Sequence, residues 1–224
     1  MRPQLATEDP VWYVAYASNL RADRLRCYLA GGRPAEAQRH YLGGRDPSPP
    51  TADVRLTLPG GLVFGGRSTV WGGALAFYDP AGSGQVVARA YRLTFGQLSD
   101  LVSQEARQPV GTDLEPSLLA GRPWETRSGV YESLLDLGDR DGEPLICLTS
   151  LRVPRTASPA AGYLRTILLG LGEIWPSSAH DRASYLAHAG GVTPTWTVAD
   201  LVSLLDGQEL PAAPRPDRAA PLDR

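Results

Sequence analysis

Apolar positions follow two rhythms along this chain, and each rhythm predicts a different element. "VWYVAY" at 11–16 is an unbroken apolar run, the pattern of a strand covered on both faces. It passes through "ASNL" straight into "RADRLRCYLAGG" at 21–32. That segment predicts a short helix with Leu25 and Tyr28–Leu29 inward and a glycine stop. "VRLTL" at 54–58 alternates weakly, and "PGGLVFGG" reads as a turn and a short strand. A strand is predicted over 67–79 with Gly72–Gly73 inside it, where glycine admits another backbone at close range. A further strand is predicted over 85–93. The 3.6-residue rhythm then takes over at 94–106, with Thr94 and Gln97 at capping-box spacing.

Residues 129–151 form two strands around "GDRDG", a hairpin by turn chemistry. Residues 158–175 predict a helix with Ser158 as N-cap, Pro159 at the first turn, and one stripe of Leu164, Ile167, Leu168 and Leu171. Two short helices follow, and the Pro- and Ala-rich 209–224 reads as a disordered tail. Strands and helices are mixed without regular alternation. This argues an α+β fold around a barrel-like or mixed sheet. The expected organisation is a flexible 1–10, one domain over 11–175 with an irregular insertion at 33–68, and short helices at 176–208 packed on it.

Composition removes several classes of chemistry. The chain has 224 residues and a formal net charge of -2, which gives no electrostatic case for nucleic acid or an anionic membrane. All 22 basic residues are arginine. Without a lysine amine there is no Schiff-base, pyridoxal or P-loop chemistry. No single arginine is given a role at this point. Cys27 and Cys147 form no CxxC or metal pattern and read as reduced core thiols. His40, His180 and His188 lack zinc-site spacing, and there is no G-x-S-x-G to make Ser18 a nucleophile. No cofactor or metal is expected. With no secretory signal and no apolar run of about 18 residues, a cytoplasmic protein without membrane partners is expected.

Two features remain. Leu98, Leu101 and Val102 share the buried face of the 94–106 helix, and Glu105 lies on that same face. A carboxylate turned inward is suited to exchanging protons near neutral pH, because low dielectric disfavours its charged form. The plain alternative is an end-of-helix glutamate in water or paired with Arg107. The second feature is the turn at 16–20, holding the only asparagine of the chain, Asn19. Ser18 or Asn19 can cap the next helix. Free backbone N–H groups of such a strand–turn–helix junction can also hold an oxyanion.

Together these segments resemble the gamma-glutamylcyclotransferase family. Its tyrosine–glycine–serine–asparagine–leucine loop after the first strand is matched by Tyr16, Ala17, Ser18, Asn19 and Leu20. Its glutamate, at the end of a helix that follows a "V-x-x-x-Y-x-L" strand, is matched by Glu105 in "VARAYRLTFGQLSDLVSQE". "YESLLDLGDRDGEPL" and "YLRTILLGLGE" resemble later family segments, and the resemblance spans roughly 11–175. It implies a small mixed β-barrel flanked by helices and conversion of a γ-glutamyl amide to 5-oxoproline and a free amine. Glu105 would be the general acid/base, and the 16–20 loop would bind substrate. Tyr131 and Tyr163 become pocket candidates, whereas Tyr13 and Tyr91 are more often plain core. The alternatives are other amide chemistry, such as deacylation or acyl transfer, and a non-catalytic binding protein. The departure is Ala17 in place of glycine. Alanine is strained there only if the turn needs positive φ.

Overall fold

The computed structural model describes residues 5–206, except 36, 38 and 121–129. The expected tail at 209–224 and residue 129 of the expected hairpin lie outside the described residues. Among the described residues seven strands are formed: β1 (Pro10–Ala15), β2 (Ala52–Pro59), β3 (Gly61–Gly65), β4 (Leu75–Asp79), β5 (Gln85–Thr94), β6 (Ser133–Arg140) and β7 (Glu143–Thr149). Five α-helices accompany them: α1 (Ala22–Ala30), α2 (Phe95–Glu105), α3 (Ala161–Ile174), α4 (Ala179–Ala187) and α5 (Val198–Leu205). A one-turn 3-10 helix covers Ser18–Leu20 and another covers Pro116–Ala120.

The main sheet runs β2-β5-β1-β7-β6, with β1 antiparallel to β5 and parallel to β7. It is mixed and, among the described residues, open: β2 and β6 are edges with no ladder between them. The α+β class is therefore observed, whereas a closed barrel is not. The β3–β4 ribbon packs as a separate layer instead of closing the sheet. It is tied to β7 by a side chain in place of a ladder. Thr149 Oγ1 accepts from the Tyr78 N–H at 3.1 Å and donates to the Tyr78 carbonyl at 2.9 Å.

The unbroken run of β1 has a simple cause. Trp12, Val14 and Tyr16 face one core, shared with β3, β4, α3, α4 and α5. Val11, Tyr13 and Ala15 face the other, shared with α1 and α2. A central strand covered by layers on both sides has no position left for a polar side chain.

Several boundaries differ from the pattern-based expectation. Part of the expected insertion at 33–68 is strand β2, whose pairing with β5 runs from Ala52↔Arg92 to Pro59↔Gln85. Its weak alternation fits an edge strand with an exposed face. Within the expected 67–79 strand only Leu75–Asp79 is strand. Gly73 lies in the bend before it, where a Cβ would meet the Ala160 nitrogen at 2.3 Å. Ser158 does not cap α3; the N-cap is Ala160, with no side-chain cap. The Ser158 carbonyl instead accepts from Ala74, while the Pro159 carbonyl accepts from the Trp196 indole. Residues 7–9 are docked rather than loose, since the carbonyls of Thr7 and Asp9 accept from Gly96 and Phe95 at 2.8 Å.

Other expectations hold. The α2 capping box between Thr94 and Gln97 is formed, and the 6–7 hairpin turns through Asp141 and Gly142, both at positive φ. Capping boxes at Ser178–Asp181 and Thr197–Asp200 start α4 and α5. These helices bury Leu186, Leu201 and Leu204 in the first core. No helix of the described residues is long and apolar enough to cross a membrane.

Candidate active site

The junction after β1 turns through a single 3-10 turn. Ala17 has φ -133. The left-handed conformation that would strain alanine is absent, so glycine is not required here for a positive φ. Ala17 and Ser18 carbonyls accept from Leu20 and Arg21 to close the turn. The N–H groups of Ala17, Ser18 and Asn19 find no acceptor among the described residues.

The turn is held from three sides. Asn19 Nδ2 donates to the Tyr13 hydroxyl at 2.9 Å. Tyr91 donates to the carbonyls of Asn19 and Leu20, and Arg89 donates to the Leu20 carbonyl at 3.0 Å. Beneath it, Gly170 of α3 leaves space that a side chain would fill, because a Cβ would sit 2.5 Å from the Arg21 nitrogen. Neither Ser18 nor Asn19 caps α1, contrary to expectation. The Ala22 N–H is taken by Glu173 Oε2 of α3 at 3.0 Å. Sequence inspection misses this because the cap arrives from 151 residues away.

Glu105 ends α2 half-buried, below Leu98, Leu101 and Val102, which are fully buried. Its Oε1 accepts from the Tyr28 hydroxyl. It makes no pair with Arg107, whose Nη2 instead donates to Thr69 Oγ1. The cation nearest in the network is Arg24. This side chain is 3% exposed, donates from Nη2 to Tyr28 Oη (2.6 Å) and Tyr41 Oη (2.8 Å), and lies over both rings. Its Nε and Nη1 have no acceptor among the described residues. Arg24, Tyr28 and Tyr41 had no assigned role in the sequence reading. A signal was present in Arg24 and Tyr28, which are four apart on one helix, but Tyr41 comes from a loop.

One cleft collects most of the expected site residues. Tyr13, Tyr16, Ala17, Ser18, Asn19, Glu105, Tyr131, Leu148 and Tyr163 surround a narrow cavity of about 30 Å³. Leu20 is the exception; it is buried in the core beneath. Tyr91 is outside the cleft and anchors the turn, whereas Tyr13 lines the cleft. The hydroxyls of Tyr16 and Tyr131 converge on the Ala76 carbonyl, and Tyr163 accepts from the Ala76 N–H. Burial raises the tyrosines: Tyr163 is pushed up to about 12, and Tyr13, Tyr16, Tyr28 and Tyr131 move upward for the same first cause. They therefore remain neutral hydrogen-bonding groups at physiological pH. Burial also raises both cysteines, so neither thiol is poised as a thiolate nucleophile. Among the described residues no three His, Cys, Asp or Glu side chains gather as a metal-binding group.

A solved structure described as a gamma-glutamyl cyclotransferase superposes with a TM-score of 0.50. It is 17% identical and covers 87% of this chain and 99% of its own. This chain has the gamma-glutamyl cyclotransferase fold. An uncharacterized human protein of solved structure is 18% identical, with a TM-score of 0.48 over 88% of this chain and 99% of its own. No family model matches the sequence. Among curated proteins, Histone deacetylase 5 of Arabidopsis thaliana is 30% identical over 211 residues, or 84% of this chain. The match spans 32% of that protein, so this chain corresponds to about a third of its length.

Proposed function

We propose that the protein is a cyclotransferase acting on γ-glutamyl amides. The observation that carries this reading is the meeting in one cleft of Glu105 with Ala17, Ser18 and Asn19, whose N–H groups have no acceptor among the described residues. In the proposed reaction the substrate α-amine attacks its own γ-carbonyl carbon. A C–N bond forms, the γ-amide C–N bond breaks, and 5-oxoproline leaves with a free amine. Glu105 takes the proton lost by the α-amine and returns one to the departing nitrogen. The turn N–H groups hold the carbonyl oxygen as charge develops on it. Ring closure is intramolecular, so holding the glutamyl chain bent supplies much of the rate. Tyr28 fixes one carboxylate oxygen of Glu105 and leaves the other for the substrate. Tyr16, Tyr131 and Tyr163, with Leu20 behind the turn, shape the glutamyl pocket.

A second reading is acyl-amide hydrolysis in the same cleft, with Glu105 activating water. One assay separates the two: 5-oxoproline release from a panel of γ-glutamyl amides by wild type and by Glu105→Gln. The cyclotransferase reading expects release by wild type and a fall of about 10²–10⁴ in the variant. Free glutamate in place of 5-oxoproline would favour hydrolysis. No turnover by folded protein would leave a binding role.

A further inference from the structure

Glu105 and Tyr131 are shared by two cavities. The second, a cavity of about 50 Å³, lies beyond the glutamyl cleft, between the loop after β3 and the end of α2. Its wall carries Arg39, Arg67 and Arg107, and Glu105 is its only carboxylate among the described residues. None of the three arginines has a carboxylate partner among the described residues. Two are held by neutral groups: Arg39 donates to the Gln104 carbonyl at 3.3 Å and stacks on Tyr41, and Arg107 donates to Thr69. Arg107 itself takes positive φ (56), a conformation non-glycine residues seldom adopt. Among the described residues the wall thus carries a net charge of +2, three guanidiniums against one carboxylate, in a chain whose net charge is -2.

We infer that this cavity takes the amine half of the substrate and that this half bears a doubly charged anion, a phosphate monoester or a pair of carboxylates. The inference rests on the cyclotransferase reading. If the glutamyl half fills the cleft and the scissile bond lies at Glu105, the leaving amine must extend past Glu105 into the second cavity. Guanidinium forks suit phosphate and carboxylate oxygens. A dianion balances the wall, whereas a neutral amine leaves its charge uncompensated.

The first test compares kcat/KM for paired amides: γ-glutamyl-O-phosphoethanolamine against γ-glutamyl-ethanolamine, and γ-glutamyl-aspartate against γ-glutamyl-alanine. The dianionic member of at least one pair is expected to exceed its partner by about tenfold or more. Which pair shows it identifies phosphate or dicarboxylate. In the Arg67→Gln/Arg107→Gln double variant that ratio should shrink to within about threefold. Equal values within both pairs, or a preference untouched by the double variant, would overturn the inference. Calorimetry with O-phosphoethanolamine and with aspartate covers the case of no turnover at all. Turnover failure with binding of one anion, weakened in the double variant, would remove the cyclotransferase reading but keep the anion site. Binding of neither would remove the site.

Discussion

The two layers that cover β1 are built from different materials. On the α3–α5 side the core is mostly aliphatic, and the polar side chains buried in it, such as Thr149 and Thr166, are neutral hydroxyls. On the α1–α2 side ionisable groups are buried within the layer. Arg24 sits between two tyrosines, and Asp100, 1% exposed, accepts from the Arg45 N–H and the Gly111 N–H. Burying such groups costs desolvation that must be offset by hydrogen bonds. The aliphatic layer holds the fold together, while the polar layer gives up some packing to fix Glu105. The cleft lies where the two meet, at the end of β1.

Substitutions in the two layers should therefore separate stability from activity. Leu168→Ala, in the aliphatic layer, should cost about 2–5 kcal/mol in denaturant unfolding, with turnover per folded molecule unchanged. A matching loss of kcat would show that the layers are not independent. Gly170→Ala should reverse the usual sign. In an exposed helix the change stabilises by about 1 kcal/mol, but here the added methyl meets the backbone of Arg21. A loss of about 1–3 kcal/mol is expected, with a raised KM because the turn moves. A gain in stability would mean that the turn yields freely.

Tyr28→Phe, in the polar layer, should lower kcat by about tenfold to a hundredfold with KM little changed. An unchanged kcat in a folded variant would remove Tyr28 from the site. The smallest effect is expected at the sheet edge. The hydrogen bond from Arg92 Nε, 2.8 Å long, holds the Glu143 carboxyl below the ordinary range. A depressed folded value means that this stabilisation is complete above the unfolded value of about 4.3. It is lost as pH falls through the lower folded value. Thermal unfolding followed from pH 6 to pH 3 should therefore show a slightly flatter acid decline in Arg92→Gln than in wild type.

The sequence by itself determined those features whose cause is local. Hydrophobic rhythm marked β1, β5, α2 and α3, and capping chemistry marked the start of α2. The inward position of Glu105 followed from its spacing to Leu98. The 16–20 turn was legible because Ser18 and Asn19 interrupt an apolar run. Tertiary structure alone decided what depends on partners far along the chain. Sheet pairing over eight residues made β2 a strand despite its weak alternation. Glu173, not Ser18, satisfied the first N–H of α1. Arg24 and Tyr41 became supports of Tyr28 and Glu105 only when a helix and a loop met. Gly170 proved to be the space in which the turn lies. Periodicity records which face of an element is buried. It carries no record of what lies against that face, because the facing atoms come from residues dozens of positions away.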